Sequence, residues 1–187
     1  MSSLLSQDAA LRGILSGYHT PWLDRVMWTL SASGGAGVIW LVIAVLVAAW
    51  MPRLRPVAWQ VVLALVLSQL VVDGVVKPLV GRARPFTAEP TITVVGAYRP
   101  PTYSFPSGHA AQSFAAAVVL ASALPRRKAW LFLLAALIAF SRIYIGVHYP
   151  LDVAVGIVVG VGVGMVVTGG SAWYTRGSAV APPPVPR

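Results

Sequence analysis

Between residues 37 and 169 the chain returns five times to long apolar runs, and this pattern limits its possible folds more than any other feature. The runs occupy residues 37–50, 57–76, 107–124, 129–146 and 151–169. Most approach the ~20 residues that carry a helix across a bilayer. The first is shorter, and reaches that length if residues 24–35 continue it as one helix or dip into the interface. Uniform apolarity, without the in-and-out alternation of barrel strands, selects helices. Composition agrees: 57% of residues are hydrophobic, 10% are charged and the mean hydropathy is +0.77, whereas soluble domains average ~25% charged residues. The expected fold class is all-α: a polytopic membrane helix bundle of five spanning helices, or six if the N-terminal segment also crosses.

Residues 3–17 put Leu4, Leu11, Ile14 and Leu15 near one helical face, the pattern of an amphipathic helix lying on the membrane. Asp8 and Arg12 interrupt any continuous apolar core, so the segment is not a signal peptide. The chain then divides into an N-terminal interfacial segment, 1–20, a membrane domain, 21–172, and a C-terminal tail, 173–187, whose PPPVP string points to disorder. The absence of cysteine excludes disulfides, cysteine-based zinc sites and iron–sulfur clusters. The net charge of +9 lacks the basic patch with stacking aromatics that nucleic acid requires. Trp and Tyr instead sit near helix ends, as interfacial belts do.

Five crossings assign every connection to a face. The N-terminus, residues 77–106 and the 146–150 turn share one face; residues 51–56, 125–128 and the tail share the other. Each face holds seven Lys and Arg residues. Lys77, Arg84 and Arg142 belong to a cluster with chemistry of its own. Setting them aside leaves four against seven, so the positive-inside rule makes the second face cytoplasmic. The first would face outward from a plasma (inner) membrane.

On that first face three segments bring polar residues to neighbouring helix ends: 77-KPLVGRARP-85, 105-FPSGHAAQS-113 and 141-SRIYIGVHYPLD-152. Arginine's planar fork suits bidentate contact with phosphate oxygens, and cations gathered without enough acids call for an external anion. Asp73 precedes Lys77 by one helical turn and can neutralise it. Ser107 after Pro106 reads as a helix N-cap, which aims free backbone N–H groups near Gly108 at any anion placed there. Pro150 suits the first position of the last helix, making Asp152 the third, from where its carboxylate can reach back to His148. A carboxylate on one imidazole nitrogen fixes the tautomer and leaves the other nitrogen free to attack or accept a proton.

Lys77-x6-Arg84-Pro85, then Pro106-Ser107-Gly108-His109, then Ser141-Arg142-x5-His148-x3-Asp152 together resemble the three-part signature of the type 2 phosphatidic acid phosphatase (PAP2) superfamily. The resemblance implies metal-independent hydrolysis of a phosphomonoester or pyrophosphate, with no cofactor and no metal ligands. His148 would be the nucleophile forming a phosphohistidine, Asp152 its orienting carboxylate, and His109 the acid and then base. Lys77, Arg84, Arg142, Ser107 and the Gly108 backbone would bind the phosphate. The partners implied are the bilayer and a lipid phosphate: a polyprenyl pyrophosphate, phosphatidylglycerophosphate, phosphatidate or the phosphate of a polyprenyl-linked sugar. Many bacterial members have six spans, against five clear runs here. The 81-GRARPF-86 segment and the loop that follows it, with Glu89 and Arg99, are not fixed by the signature and are where substrate choice would be encoded. The competing readings are a vanadate-dependent haloperoxidase-like enzyme, whose relatives are larger and soluble, and a non-enzymatic membrane anion-binding protein.

Overall fold

The computed structural model describes residues 2–15, 18–89, 91–96 and 98–177, with side chains described for 6–14 and, beyond residue 17, as far as 169. Among these residues all regular structure is helical: α1 (Ser2–Leu15), α2 (Pro21–Ser33), α3 (Val38–Trp50), α4 (Arg55–Gln69), α5 (Lys77–Val80), α6 (Pro85–Ala88), α7 (Gly108–Ala123), α8 (Lys128–Tyr144) and α9 (Pro150–Gly177). A π-helical stretch, Leu70–Val76, joins α4 to α5 without interrupting the rod. Two helical stretches, Pro52–Ala88 and Pro150–Gly169, are long and apolar enough to cross a membrane, and α2 with α3 makes a third if the bent pair is one span. Val158 and Val166 on α9 stand 71% and 70% exposed, a surface that fits lipid rather than water.

The α2–α3 segment departs from the continuous helix entertained for residues 24–35. It breaks at Gly34–Gly37 and bends by 58°. Gly37 has φ +71° and Ala36 φ +49°, backbone that glycine adopts readily and that ends an α-helix. The GGAG string was the signal.

α7 is the axis of the bundle, packed against α4, α8 and α9. It is alanine-rich, and Ala110, Ala111, Ala115, Ala116 and Ala117 are fully buried. On α9, Gly156, Gly160 and Gly164 lie one turn apart on the face toward α7. A Cβ at Gly156 would come 3.1 Å from Ala110 Cβ, and one at Gly164 would come 2.7 Å from Val118 Cβ. Small residues let the two backbones approach where lipid supplies no hydrophobic drive between helices. Because these helices are locked together, their facing ends are fixed: Ser107 N–H donates to Asp152 C=O at 2.9 Å.

α1 is helical, as expected, with its apolar side outward. Leu11 and Ile14 are exposed, whereas Asp8 and Arg12 are buried against the rest of the chain. That orientation suits a helix whose outer surface meets lipid. α9 continues through Gly177, past the boundary set at residue 172, and residues 178–187 lie outside the described residues.

Candidate active site

The three polar segments converge. Lys77, Arg84, Gly108, His109, Arg142 and His148 line one cavity of about 540 Å³. Leu41, Val62, Leu65 and Val66 form its apolar wall.

His148 sits in the tight turn between α8 and α9. Gly146, with φ +81°, makes the turn possible; a side chain there would strike Thr93 C=O at 2.8 Å. Both His148 N–H and Val147 N–H donate to Arg142 C=O, at 3.2 and 3.3 Å. Pro150 begins α9, so Asp152 occupies its third position, as its sequence context required. From there Asp152 Oδ2 lies 3.4 Å from His148 Nδ1 and accepts Tyr149 N–H at 2.9 Å. His148 Nε2 lies 3.2 Å from Arg84 Nη1. A guanidinium only donates, so Nε2 holds the lone pair and the ring proton belongs on Nδ1, toward Asp152. Burial pushes the His148 imidazole down to about 3; the Asp152 carboxylate facing Nδ1 opposes that shift, and Arg84 and Arg142 add to it.

The cations are held in different ways. Lys77 is ion-paired to Asp73 and lies 3.4 Å from Thr102 Oγ1. Arg84 donates to Thr102 C=O at 2.6 Å, Thr102 Oγ1 at 3.1 Å and Val147 C=O at 2.9 Å. Arg142 donates to Ser31 Oγ on α2, and its buried Nε has no hydrogen-bond partner among the described residues. Neither Arg84 nor Arg142 has a carboxylate within ion-pair distance among those residues. Two buried guanidinium groups on neutral partners make a strong anion site.

His109, in the first turn of α7, has its ring against the α2–α3 break: a Cβ at Gly34 would lie 3.3 Å from His109 Cδ2. Ser107 is the N-cap, its Oγ accepting Ala110 N–H at 3.4 Å. In this structure the hydroxyl serves the helix start. The side chain is fully buried and does not line the cavity, and its N–H is taken by Asp152 C=O. Gly108 does line the cavity, at the N-terminal end of α7, the end of a helix that favours anions.

Sequence reasoning did not reach Arg82 and Asp8. Arg82 donates to Asp152 Oδ1 and to Asp8 Oδ2, both at 2.6 Å, and its guanidinium lies 4.0 Å from the Tyr149 ring centroid. Asp8 also accepts Leu151 N–H at 2.8 Å, and Ser104 donates to Asp152. The carboxylate behind His148 is thus tied to the N-terminal helix. Glu89, left unassigned in sequence, pairs with Arg12 at 3.6 Å. The only signal for Arg82 was its place inside GRARP, two residues before the signature arginine.

A membrane-embedded anion pocket with two histidines and a carboxylate behind one of them defines an integral membrane phosphatase. The PAP2 superfamily model matches residues 57–176, and the chain belongs to that superfamily. A lipid A 4'-phosphatase of Bacteroides thetaiotaomicron is 32% identical over 82% of this chain and 72% of its own length. A decaprenylphosphoryl-5-phosphoribose phosphatase of Mycobacterium tuberculosis is 39% identical over 74% of this chain and 75% of its own. Among solved structures, a transmembrane PAP2-type phosphatidylglycerolphosphate phosphatase from Bacillus subtilis superposes with a TM-score of 0.75 at 25% identity, over 94% of this chain and 90% of that one.

Proposed function

We propose that this protein hydrolyses the phosphate of a membrane lipid through a phosphohistidine on His148. The observation carrying this reading is the cavity itself. Its cations and histidines lie at one end, and along α4 its wall turns apolar. Val62 lies fifteen residues from Lys77 along a nearly continuous helical rod, about 22 Å at helical rise. A phosphate head fits the first end and a hydrocarbon tail the second. The relatives are named for phosphates on lipid A and on a decaprenylphosphoryl ribose, and the Bacillus protein for phosphatidylglycerolphosphate, which supports a lipid substrate.

In the first step His148 Nε2 attacks phosphorus while the P–O bond to the leaving group breaks. His109 gives that oxygen its proton. In the second, His109 takes a proton from water, the water oxygen attacks phosphorus and the P–N bond breaks, freeing inorganic phosphate. Asp152 holds Nδ1–H and stabilises the positive charge of the phosphorylated ring. Lys77, Arg84, Arg142 and the Gly108 N–H stabilise the equatorial oxygens, where the transition state spreads its charge. Arg82 and Asp8 act behind Asp152 as positioning residues.

We read the topology as five crossings, with bent α2–α3 as the first. At 16 and 17 residues, α7 and α8 extend about 25 Å, and the turns at their ends supply the rest of a ~30 Å core. Arg53, Arg55, Arg126, Arg127 and Lys128 gather at the end away from the cavity, supporting an extracytoplasmic site in the plasma membrane. We retain residues 21–172 as the phosphatase domain. The test is phosphate release from lipid phosphates by purified wild type and by His148→Ala. The variant should keep its elution profile and helical content and lose turnover; normal activity in that folded variant would sink the mechanism.

A further inference from the structure

The cavity has a middle level that the phosphate chemistry does not use. One turn beyond Lys77 on the same rod stands Asp73, and one turn further Gln69; both line the cavity, as does Gln112 of α7. Gln112 Nε2 donates to Gln69 Oε1 at 2.7 Å, Gln69 Nε2 donates to Asp73, and Asp73 pairs with Lys77. Gln69 is an exposed amide eight residues from Lys77 on a mostly apolar rod. Polar groups at that depth are costly and usually serve a ligand or pathway. Immediately beyond it the lining is Val66, Leu65 and Val62.

Position decides what meets this level. His109 protonates the leaving oxygen, and Gln112 follows it by three residues on one helix, about 4.5 Å deeper. The first atoms of the leaving group therefore pass Gln112, Gln69 and Asp73. Each amide retains a second N–H, and Gln112 Oε1 has no partner among the described residues. Hydroxyl groups both donate and accept, which matches this set. A bare prenyl chain uses none of it. A second phosphate of a pyrophosphate would meet two amides and an already paired carboxylate here, and no further cation among the described residues lines the cavity to balance its charge.

We infer that Gln69, Asp73 and Gln112 form a subsite for a hydroxylated leaving group, making the preferred substrate a phosphate monoester on the sugar or polyol headgroup of a lipid. This rests on the hydrolase reading above. The test uses three probes with one tail: a polyprenylphosphoryl pentose phosphate, the polyprenyl pyrophosphate and the polyprenyl monophosphate. Wild type should show kcat/KM at least about tenfold higher for the sugar phosphate than for either other probe. In Gln69→Leu and Gln112→Leu the ratio of sugar phosphate to monophosphate should fall about tenfold. Gln69 is exposed, so its variant serves should Gln112→Leu fail to fold. A wild-type preference for pyrophosphate, or an equal loss on all three probes in folded variants, overturns the subsite and leaves the hydrolase standing. No phosphate release from any probe by folded wild type overturns both.

Discussion

Replacing Arg82 with Lys tests whether the link from the N-terminal helix to Asp152 serves catalysis or only holds the chain together. The guanidinium spans two carboxylates, Nη1 to Asp152 and Nη2 to Asp8, each at 2.6 Å, while lying 4.0 Å from the Tyr149 ring centroid. A lysine keeps the charge but is a point, and cannot hold both carboxylates in that geometry. A hydrogen bond to a charged group contributes ~1.5–3 kcal/mol. Losing one therefore costs about 2 kcal/mol, and about 30-fold in rate if the whole loss falls on the transition state. Arg82 does not line the cavity, so the loss should appear in kcat, with KM within about twofold. Steady-state phosphate release in detergent separates the two. Asp8→Asn should move kcat the same way by less, since Asp8 touches Arg82 and not Asp152. A folded Arg82→Lys enzyme with wild-type kcat, or with raised KM alone, would refute the reasoning.

Arg142→Lys should lower kcat/KM by about 10- to 100-fold while the protein remains folded, because one ammonium cannot replace a fork held by Ser31; equal activity would remove Arg142 from the phosphate site. The His148 imidazole is depressed to about 3 in the folded protein, against ~6.5 when unfolded. The unfolded chain therefore binds the extra proton between those values, and stability is full above pH ~6.5 and declines as pH falls toward 3. The melting temperature in detergent should drop from pH 7 to pH 4, and drop less in His148→Gln. Gly34→Ala should destabilise by about 1–3 kcal/mol, since its Cβ would meet buried Ile138 Cγ2 at 2.5 Å, and should lower kcat by shifting His109. Gly162→Ala, with nothing within 4 Å of its Cβ, is the control and should melt no lower than wild type, since alanine suits a helix interior better than glycine.

The parts of the site legible in sequence are those whose meaning lies in residue type and local spacing. Pro150 at the start of α9 sets Asp152 one turn from His148, and the structure has that pairing at 3.4 Å. Ser107 caps α7 as its context required. The rest depends on contacts across long separations. Arg82 reaches Asp8 across 74 residues and Asp152 across 70, so no local pattern distinguishes it from one more phosphate ligand. Ser31 meets Arg142 only because the Gly34–Gly37 break turns α2 toward the site. The glycines of α9 were visible at four-residue spacing, but their partner helix was not. Span count is the least legible: two helical stretches, or three with the bent pair, are long and apolar enough to cross, while α7 and α8 have 16 and 17 residues.

Charge accounting explains why Arg82 and Asp8 are needed at all. Lys77 is balanced by Asp73, while Arg84 and Arg142 rest on hydroxyls, carbonyls and an imidazole. Two buried positive charges are thus left for the two negative charges of a phosphate monoester. Buried charge without a partner is costly, and the nearest relief would be for Arg84 to turn toward Asp152, which already lies behind His148. That pairing would cancel one substrate-binding charge and strip His148 of its orienting carboxylate. Arg82, which does not line the cavity, already satisfies Asp152 Oδ1 and is itself held by Asp8, which disfavours that pairing. On the proposed mechanism the N-terminal helix, none of whose described side chains lines the cavity, thereby keeps Asp152 and the two buried arginines from neutralising each other.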